Sequence, residues 1–109
     1  MIWTVKYLKE AIKDLNALNQ SQRLIVDKAI KKVKENPLPQ SEGGYGKPLG
    51  KKHGSNLTGF LKIKLLREGI RIVYKLIRQD DQMLIVVIGI REDDEVYDLA
   101  ATRKKNNNL

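Results

Sequence analysis

The stretch from Met83 to Ile90, Met-Leu-Ile-Val-Val-Ile-Gly-Ile, constrains this chain more than any other, because it is apolar on both faces at the two-residue period of a strand. Such a strand belongs in the interior of a sheet, under helices. Two more strands precede it, Phe60 to Leu66 and Ile70 to Arg78, and the apolar one runs from Met83 to Arg91. The connectors Arg67-Glu68-Gly69 and Gln79-Asp80-Asp81-Gln82 suit antiparallel hairpins.

A fourth strand opens the chain, where Trp3, Val5 and Tyr7 alternate on one side of an extended segment. The period then changes. Leu8, Ala11, Ile12, Leu15 and Leu18 recur at helical spacing, with Lys9, Glu10, Lys13 and Asp14 on the other face. Asn19 or Ser21 can cap a second helix, whose apolar stripe is Ile25, Val26, Ala29, Ile30 and Val33. Pro37 and Pro39 stop it soon after Asn36, which makes a helical hairpin. From Ser41 to Asn56 the chain is glycine-rich with no apolar period, and it reads as a mobile loop. The spacing excludes a Walker A loop, since Tyr45 stands where a glycine is needed. At the C-terminal end, Glu92-Asp93-Asp94-Glu95 precede Val96 to Ala101 and then Arg103-Lys104-Lys105, the charge order that suits a short helix and its dipole. We expect one domain over residues 1–105 and a polar tail over 106–109.

Charge narrows the partners. Lysine and arginine number 21 against 13 acidic residues, giving +8 and a pI near 9.8. That balance favours a polyanion, and RNA, DNA and an acidic protein segment all qualify. There is no cysteine, so neither a disulfide framework nor a thiolate metal site is on offer. His53, the one histidine, has no second ligand at metal spacing and reads as inert, so no metal or cofactor is expected. The start lacks a signal peptide's apolar core, and no apolar run approaches a membrane span. The expectation is a soluble, cytoplasmic protein.

In Leu61-Lys62-Ile63-Lys64-Leu65 the alternation sends Ile63 and Leu65 to the core, so Lys62 and Lys64 project from the opposite face, about 6.5 to 7 Å apart. Arg71 opens the next strand and Arg91 closes the last, which brings both guanidinium groups towards the same surface under antiparallel pairing. Tyr97 follows one to two helical turns later. Lys47, Lys51 and Lys52 in the glycine-rich loop are candidates for phosphate contact. The plainer alternative is an outward, solvated strand face whose lysines discourage edge aggregation.

Taken in order, Leu61-Lys62-Ile63-Lys64-Leu65, Gly69-Ile70-Arg71-Ile72-Val73-Tyr74, Ile88-Gly89-Ile90-Arg91 and Glu95-Val96-Tyr97 resemble the RelE family of messenger RNA endonucleases. The resemblance runs from the first strand to about Arg103, and Lys62, Lys64, Arg71, Arg91 and Tyr97 are each of the type that the family pattern requires. It implies an α/β fold of the α+β kind: a helical hairpin packed on a four-stranded, mainly antiparallel sheet, with a short C-terminal helix. It also implies a type II toxin that cleaves mRNA in the ribosomal A site and is neutralised by a cognate antitoxin. Two features depart from the pattern: a longer glycine-rich loop, and Asp93-Asp94 close behind Arg91.

Cleavage of RNA by its own 2′-hydroxyl needs a base, cations for the charge on phosphorus and an acid for the leaving 5′-oxygen. Neighbouring cations are what lets a lysine act as a base near neutral pH. Lys64 is therefore the expected base, Lys62 and Arg71 the phosphate clamps, and Arg91 the transition-state stabiliser or proton donor. Tyr97 is expected to stack on a base and orient it, or else to accept the proton itself. The rivals are a ParE-type toxin acting on DNA gyrase, whose pattern lacks this set, and an RNA-binding module without catalysis.

Overall fold

The computed structural model describes residues 3–52, 55–90 and 92–109, and for Lys51, Lys52, Ser55 and Asp93 only the backbone. Its elements are β1 (Thr4–Tyr7), α1 (Lys9–Ala17), α2 (Gln20–Val33), β2 (Lys47–Lys52), β3 (Ser55–Leu65), β4 (Ile70–Ile77), β5 (Gln82–Gly89) and α3 (Asp93–Asn106). The strands form a sheet in the order β1-β5-β4-β3-β2, with β1 parallel to β5 and every other pair antiparallel.

The doubly apolar strand, β5, lies between β1 and β4, and each face of the sheet carries its own core. On one face Ile70, Ile72, Tyr74, Met83 and Ile85 pack with Ala11, Val26, Ile30 and Val33 of the hairpin. On the other, Phe60, Val73, Val86 and Val87 pack with Val96, Tyr97 and Ala100 of α3. The hairpin turns where expected. Asn19 accepts from the Gln22 backbone N–H at 2.8 Å, and the Gln22 side chain accepts from the Asn19 N–H at 3.0 Å, a reciprocal cap that satisfies two otherwise orphaned donors.

The sheet has five strands where four were expected, because β2 arises inside the segment read as a mobile loop. Lys47 pairs with Lys62, Pro48 with Leu61 and, beyond a register shift, Gly50 with Leu57. Two apolar residues, Leu49 and Leu57, are too few to print a period, yet both are buried in the α3-side core. Pro48 cannot donate to a ladder and is tolerated on an edge strand at an irregularity. For the same reason β3 begins at Ser55, ahead of the expected Phe60.

The chain before β2 is also well bonded. The N–H of Tyr45 donates to Asn36 O at 3.0 Å, that of Gly46 to Leu38 O at 3.0 Å and that of Gln40 to Gly46 O at 2.8 Å. A Cβ at Gly46 would run into the Tyr74 hydroxyl and Leu61, so only glycine lets the backbone close there. The buried Tyr74 hydroxyl donates to Pro37 O at 2.8 Å, and burial pushes its pKa up.

β1 stops opposite Ile85, which leaves the outer edge of β5 without a strand beyond that point. Two side chains replace it. Asp14 accepts from Ile88 N at 3.0 Å, and Arg103 donates to Val86 O at 2.9 Å. They also hold one another through two bonds of 2.6 and 3.1 Å. The pair therefore completes the edge and ties α3 to α1. Nearby, Asn107 donates to Glu10 at 3.1 Å, and this bond lowers the Glu10 pKa. Leu109 packs against the α3-side core. Among the described residues no helix is long and apolar enough to cross a membrane.

Candidate active site

Directly opposed residues of an antiparallel pair project to the same face, so the register gathers the candidate cations. Lys64 pairs with Arg71, Arg71 with Gly89, and Lys62 with Val73 on one side and Lys47 on the other. Lys47, Lys62, Lys64 and Arg71 therefore share the face on which α3 packs, while Ile63 and Leu65 pack against the hairpin-side core. On that face α3 covers Phe60, Val73 and Val87. The cations occupy the adjoining part, where Lys47 is exposed and Lys62, Lys64 and Arg71 are half-buried.

Tyr97, in the second turn of α3, is brought to this row. Its hydroxyl accepts from Lys62 Nζ at 2.9 Å, and the ammonium stands 5.5 Å from the ring centre. Being so much nearer the oxygen, it sits at the hydroxyl end of the ring, so the contact is a hydrogen bond more than a cation–π pair. The ring is only 4% exposed and packs beside Val96 and Ala100. A buried ring offers no open face to a nucleobase, which removes the expected stacking role and leaves the polar one.

Arg71 donates to Gly69 O at 3.3 Å, which holds the guanidinium by its own turn. Beside it is a polar depression of about 440 Å³ lined by Gly69, Arg71, Ile90, Glu92 and Glu95. Arg91, the side chains of Lys51 and Lys52, and His53 lie outside the described residues. The residues flanking Arg91, Ile90 and Glu92, both line the depression that Arg71 reaches. In the sequence Glu92 and Glu95 show only as the acidic start of a helix, and their place beside Arg71 carries no local signal. A separate cavity of about 450 Å³, lined by Trp3, Glu35, Asn36, Leu38, Arg78 and Asp81, shares no residue with the cationic row.

The arrangement can grip an anion between β3 and β4 and present a lysine and a hydroxyl in hydrogen-bonded contact. Comparison with known proteins gives this surface a context. No family model matches the chain. A RelE-like toxin protein of Escherichia coli is 30% identical over 105 residues, which cover 96% of this chain and 100% of that protein. The structure of a mutant of the E. coli toxin RelE in the free state superposes with a TM-score of 0.72 at 26% identity, covering 94% of this chain and 98% of that one. The E. coli RelE mutant in complex with a peptide of the antitoxin RelBc gives 0.68 at 25% identity, over 92% and 95% of the two chains. The RelBE2 toxin-antitoxin complex of Mycobacterium tuberculosis shares the fold, with a TM-score of 0.65 at 23% identity over 84% of this chain and 100% of its counterpart.

Proposed function

Because this chain belongs to the family of RelE-like toxins, we propose that it is an endoribonuclease that cleaves messenger RNA, in the ribosomal A site, by attack of the substrate's own 2′-hydroxyl. The observation that carries this reading is the cationic row with Tyr97 at its side: Lys64 opposite Arg71, and Lys62 bonded to the Tyr97 hydroxyl at 2.9 Å. In the proposed reaction Lys64 takes the 2′-proton, the 2′-oxygen bonds to phosphorus, and the bond to the 5′-oxygen breaks. The products are a 2′,3′-cyclic phosphate and a 5′-hydroxyl.

Lys62 and Arg71 hold the non-bridging oxygens as charge grows on them, and Arg91 stabilises the transition state or gives the leaving oxygen its proton. Tyr97 acts through Lys62, whose ammonium its hydroxyl aims along β3. All of these groups are side chains of the protein, so the proposed chemistry has no step at a metal or cofactor. A cognate antitoxin, as in the complexes of the E. coli and M. tuberculosis relatives, would silence the protein by covering the row of Lys47, Lys62, Lys64 and Arg71.

The test is a reconstituted translation reaction in which mRNA is mapped by primer extension, with gyrase supercoiling assayed in parallel. Cuts in the occupied A site with cyclic phosphate ends are expected. Intact mRNA together with inhibited supercoiling would replace this reading by a gyrase poison of the same fold.

A further inference from the structure

We propose that Tyr45 and Lys32 extend the cationic row into a track for single-stranded RNA that leaves the cleavage site around the β2 edge of the sheet, with a nucleobase stacked on Tyr45. The proposal rests on the ribonuclease reading above. Its starting point is an exposed aromatic on a segment built to present it. Tyr45 is 48% exposed. Its backbone N–H is held by Asn36 O at 3.0 Å, and the glycines on either side of it have no room for a side chain, Gly44 against Leu38 O and Gly46 against Tyr74 and Leu61. A tyrosine in a solvated loop needs none of this. A stacking platform gains from it, because backbone already fixed in place leaves less entropy to be lost when a base lies on the ring.

Cations continue on both sides of the ring. Lys32, in the last turn of α2, places Nζ 5.6 Å from the ring centre. Two residues after Tyr45, exposed Lys47 is paired in register with Lys62, and Lys64 follows opposite Arg71. Arg71, Lys64, Lys62 and Lys47 therefore follow one another across neighbouring positions of β4, β3 and β2, with steps of about 5 Å between strands and about 6.5 to 7 Å along them, and Tyr45, two residues before Lys47 in the chain, carries the order on to Lys32. Positive charge following a backbone, with an aromatic ring interposed, is the chemistry that holds a single strand without reading its sequence. The six side chains would grip a few nucleotides on one side of the scissile phosphate.

The experiment measures binding apart from cleavage. Fluorescence anisotropy is recorded with labelled 2′-O-methyl oligonucleotides, which lack the attacking hydroxyl, trimmed stepwise from each end. Tyr45→Ala should weaken the longer oligonucleotides roughly fivefold or more, and Tyr45→Phe should bind as the parent does. Lys32→Ala should shallow the log-log salt dependence by about 0.7 unit, and Lys9→Ala on α1, which removes the same charge elsewhere, should lose neither stacking nor length dependence. Below the length that reaches Tyr45, the parent and Tyr45→Ala should bind equally. The track is refuted if Tyr45→Ala matches the parent at every length, if Lys9→Ala weakens binding as much as Tyr45→Ala does, or if the parent binds none of the oligonucleotides. It is also refuted if Tyr45→Ala loses an acidic peptide and keeps RNA, which would make the ring part of a protein interface. The same variants added to translated mRNA separate the two readings. A parent that binds along the track and cuts nothing ends the nuclease proposal alone, whereas a parent that cuts, with Tyr45→Ala unchanged in affinity, ends the track alone.

Discussion

At the outer edge of β5, Arg103 grips Asp14 through paired hydrogen bonds and both also bond to the strand's backbone, whereas on β3 Lys62 donates to the neutral hydroxyl of Tyr97. The Arg103 and Asp14 side chains are 12% and 15% exposed. A charge so enclosed needs an opposite charge and a full set of hydrogen bonds, and here it has them. Lys62 stands in a row with Lys47, Lys64 and Arg71, where like charges crowd. The two regions differ, then, in what surrounds their charges: one pair replaces a missing strand and is enclosed with its counter-charge, while the other row lies half-buried on the sheet face beside α3, where the proposed function places a phosphate.

The sharpest way to break this comparison is to remove one member of each set and measure stability. Asp14→Ala should destabilise by about 3 kcal/mol, since it leaves the Arg103 guanidinium enclosed without its counter-charge and the Ile88 N–H without its acceptor. Lys64→Ala should stay within about 0.5 kcal/mol of the parent. Chemical denaturation of both variants reads the difference, and equal losses would erase the distinction between them.

Activity should show the reverse order. Arg91→Ala and Lys64→Ala are each expected to lose about a hundredfold to a thousandfold in single-turnover cleavage, with an unchanged denaturation midpoint. Asp14→Ala, assayed at a temperature where it is still folded, should retain most of the parent rate. A folded Lys64→Ala enzyme of near-parent rate would show that Lys64 is not the base.

Tyr97→Phe asks which region its hydroxyl serves. The ring is kept, so stability should fall by about 1 kcal/mol at most, while cleavage should drop about tenfold as Lys62 loses the acceptor 2.9 Å away. Unchanged cleavage would mean that Lys62 is aimed by its strand alone.

The smallest effect concerns an exposed pair that resembles the Arg103 clasp in geometry but lacks its enclosure. Arg78 donates to Glu42 at 2.6 and 3.1 Å, and this bonding holds the Glu42 carboxyl below its ordinary pKa. A lowered folded pKa means that the contribution is complete above the ordinary value near 4.5 and is lost as pH falls through the lowered one. Denaturation curves of the parent and Glu42→Gln should therefore differ slightly near neutrality and converge in acid. A gap that persists at the lowest pH would trace to something other than this ion pair.

The features legible in the amino-acid order alone are local or periodic. The two-faced apolarity of Met83 to Ile90 places β5 inside the sheet, the alternation of Lys62 and Lys64 with Ile63 and Leu65 sends the lysines away from the hairpin, and Asn19 with the two prolines bounds the second helix. Such features are legible because each element's burial is written at its own period. Other features depend on partners far along the chain. β2 exists because an adjacent strand supplies its hydrogen bonds and the α3-side core takes Leu49 and Leu57. Burial of the Tyr97 ring follows from α3 lying opposite the hairpin, a choice of face that a helix's own sequence does not specify. Asp14 and Arg103 each look like ordinary charges on solvated helix faces, and they meet only because β1 ends early and leaves the β5 edge between them. Energy that resides in contacts between distant segments leaves no local pattern, and for this protein it determines which charges are enclosed in the framework and which lie on the half-buried face beside α3.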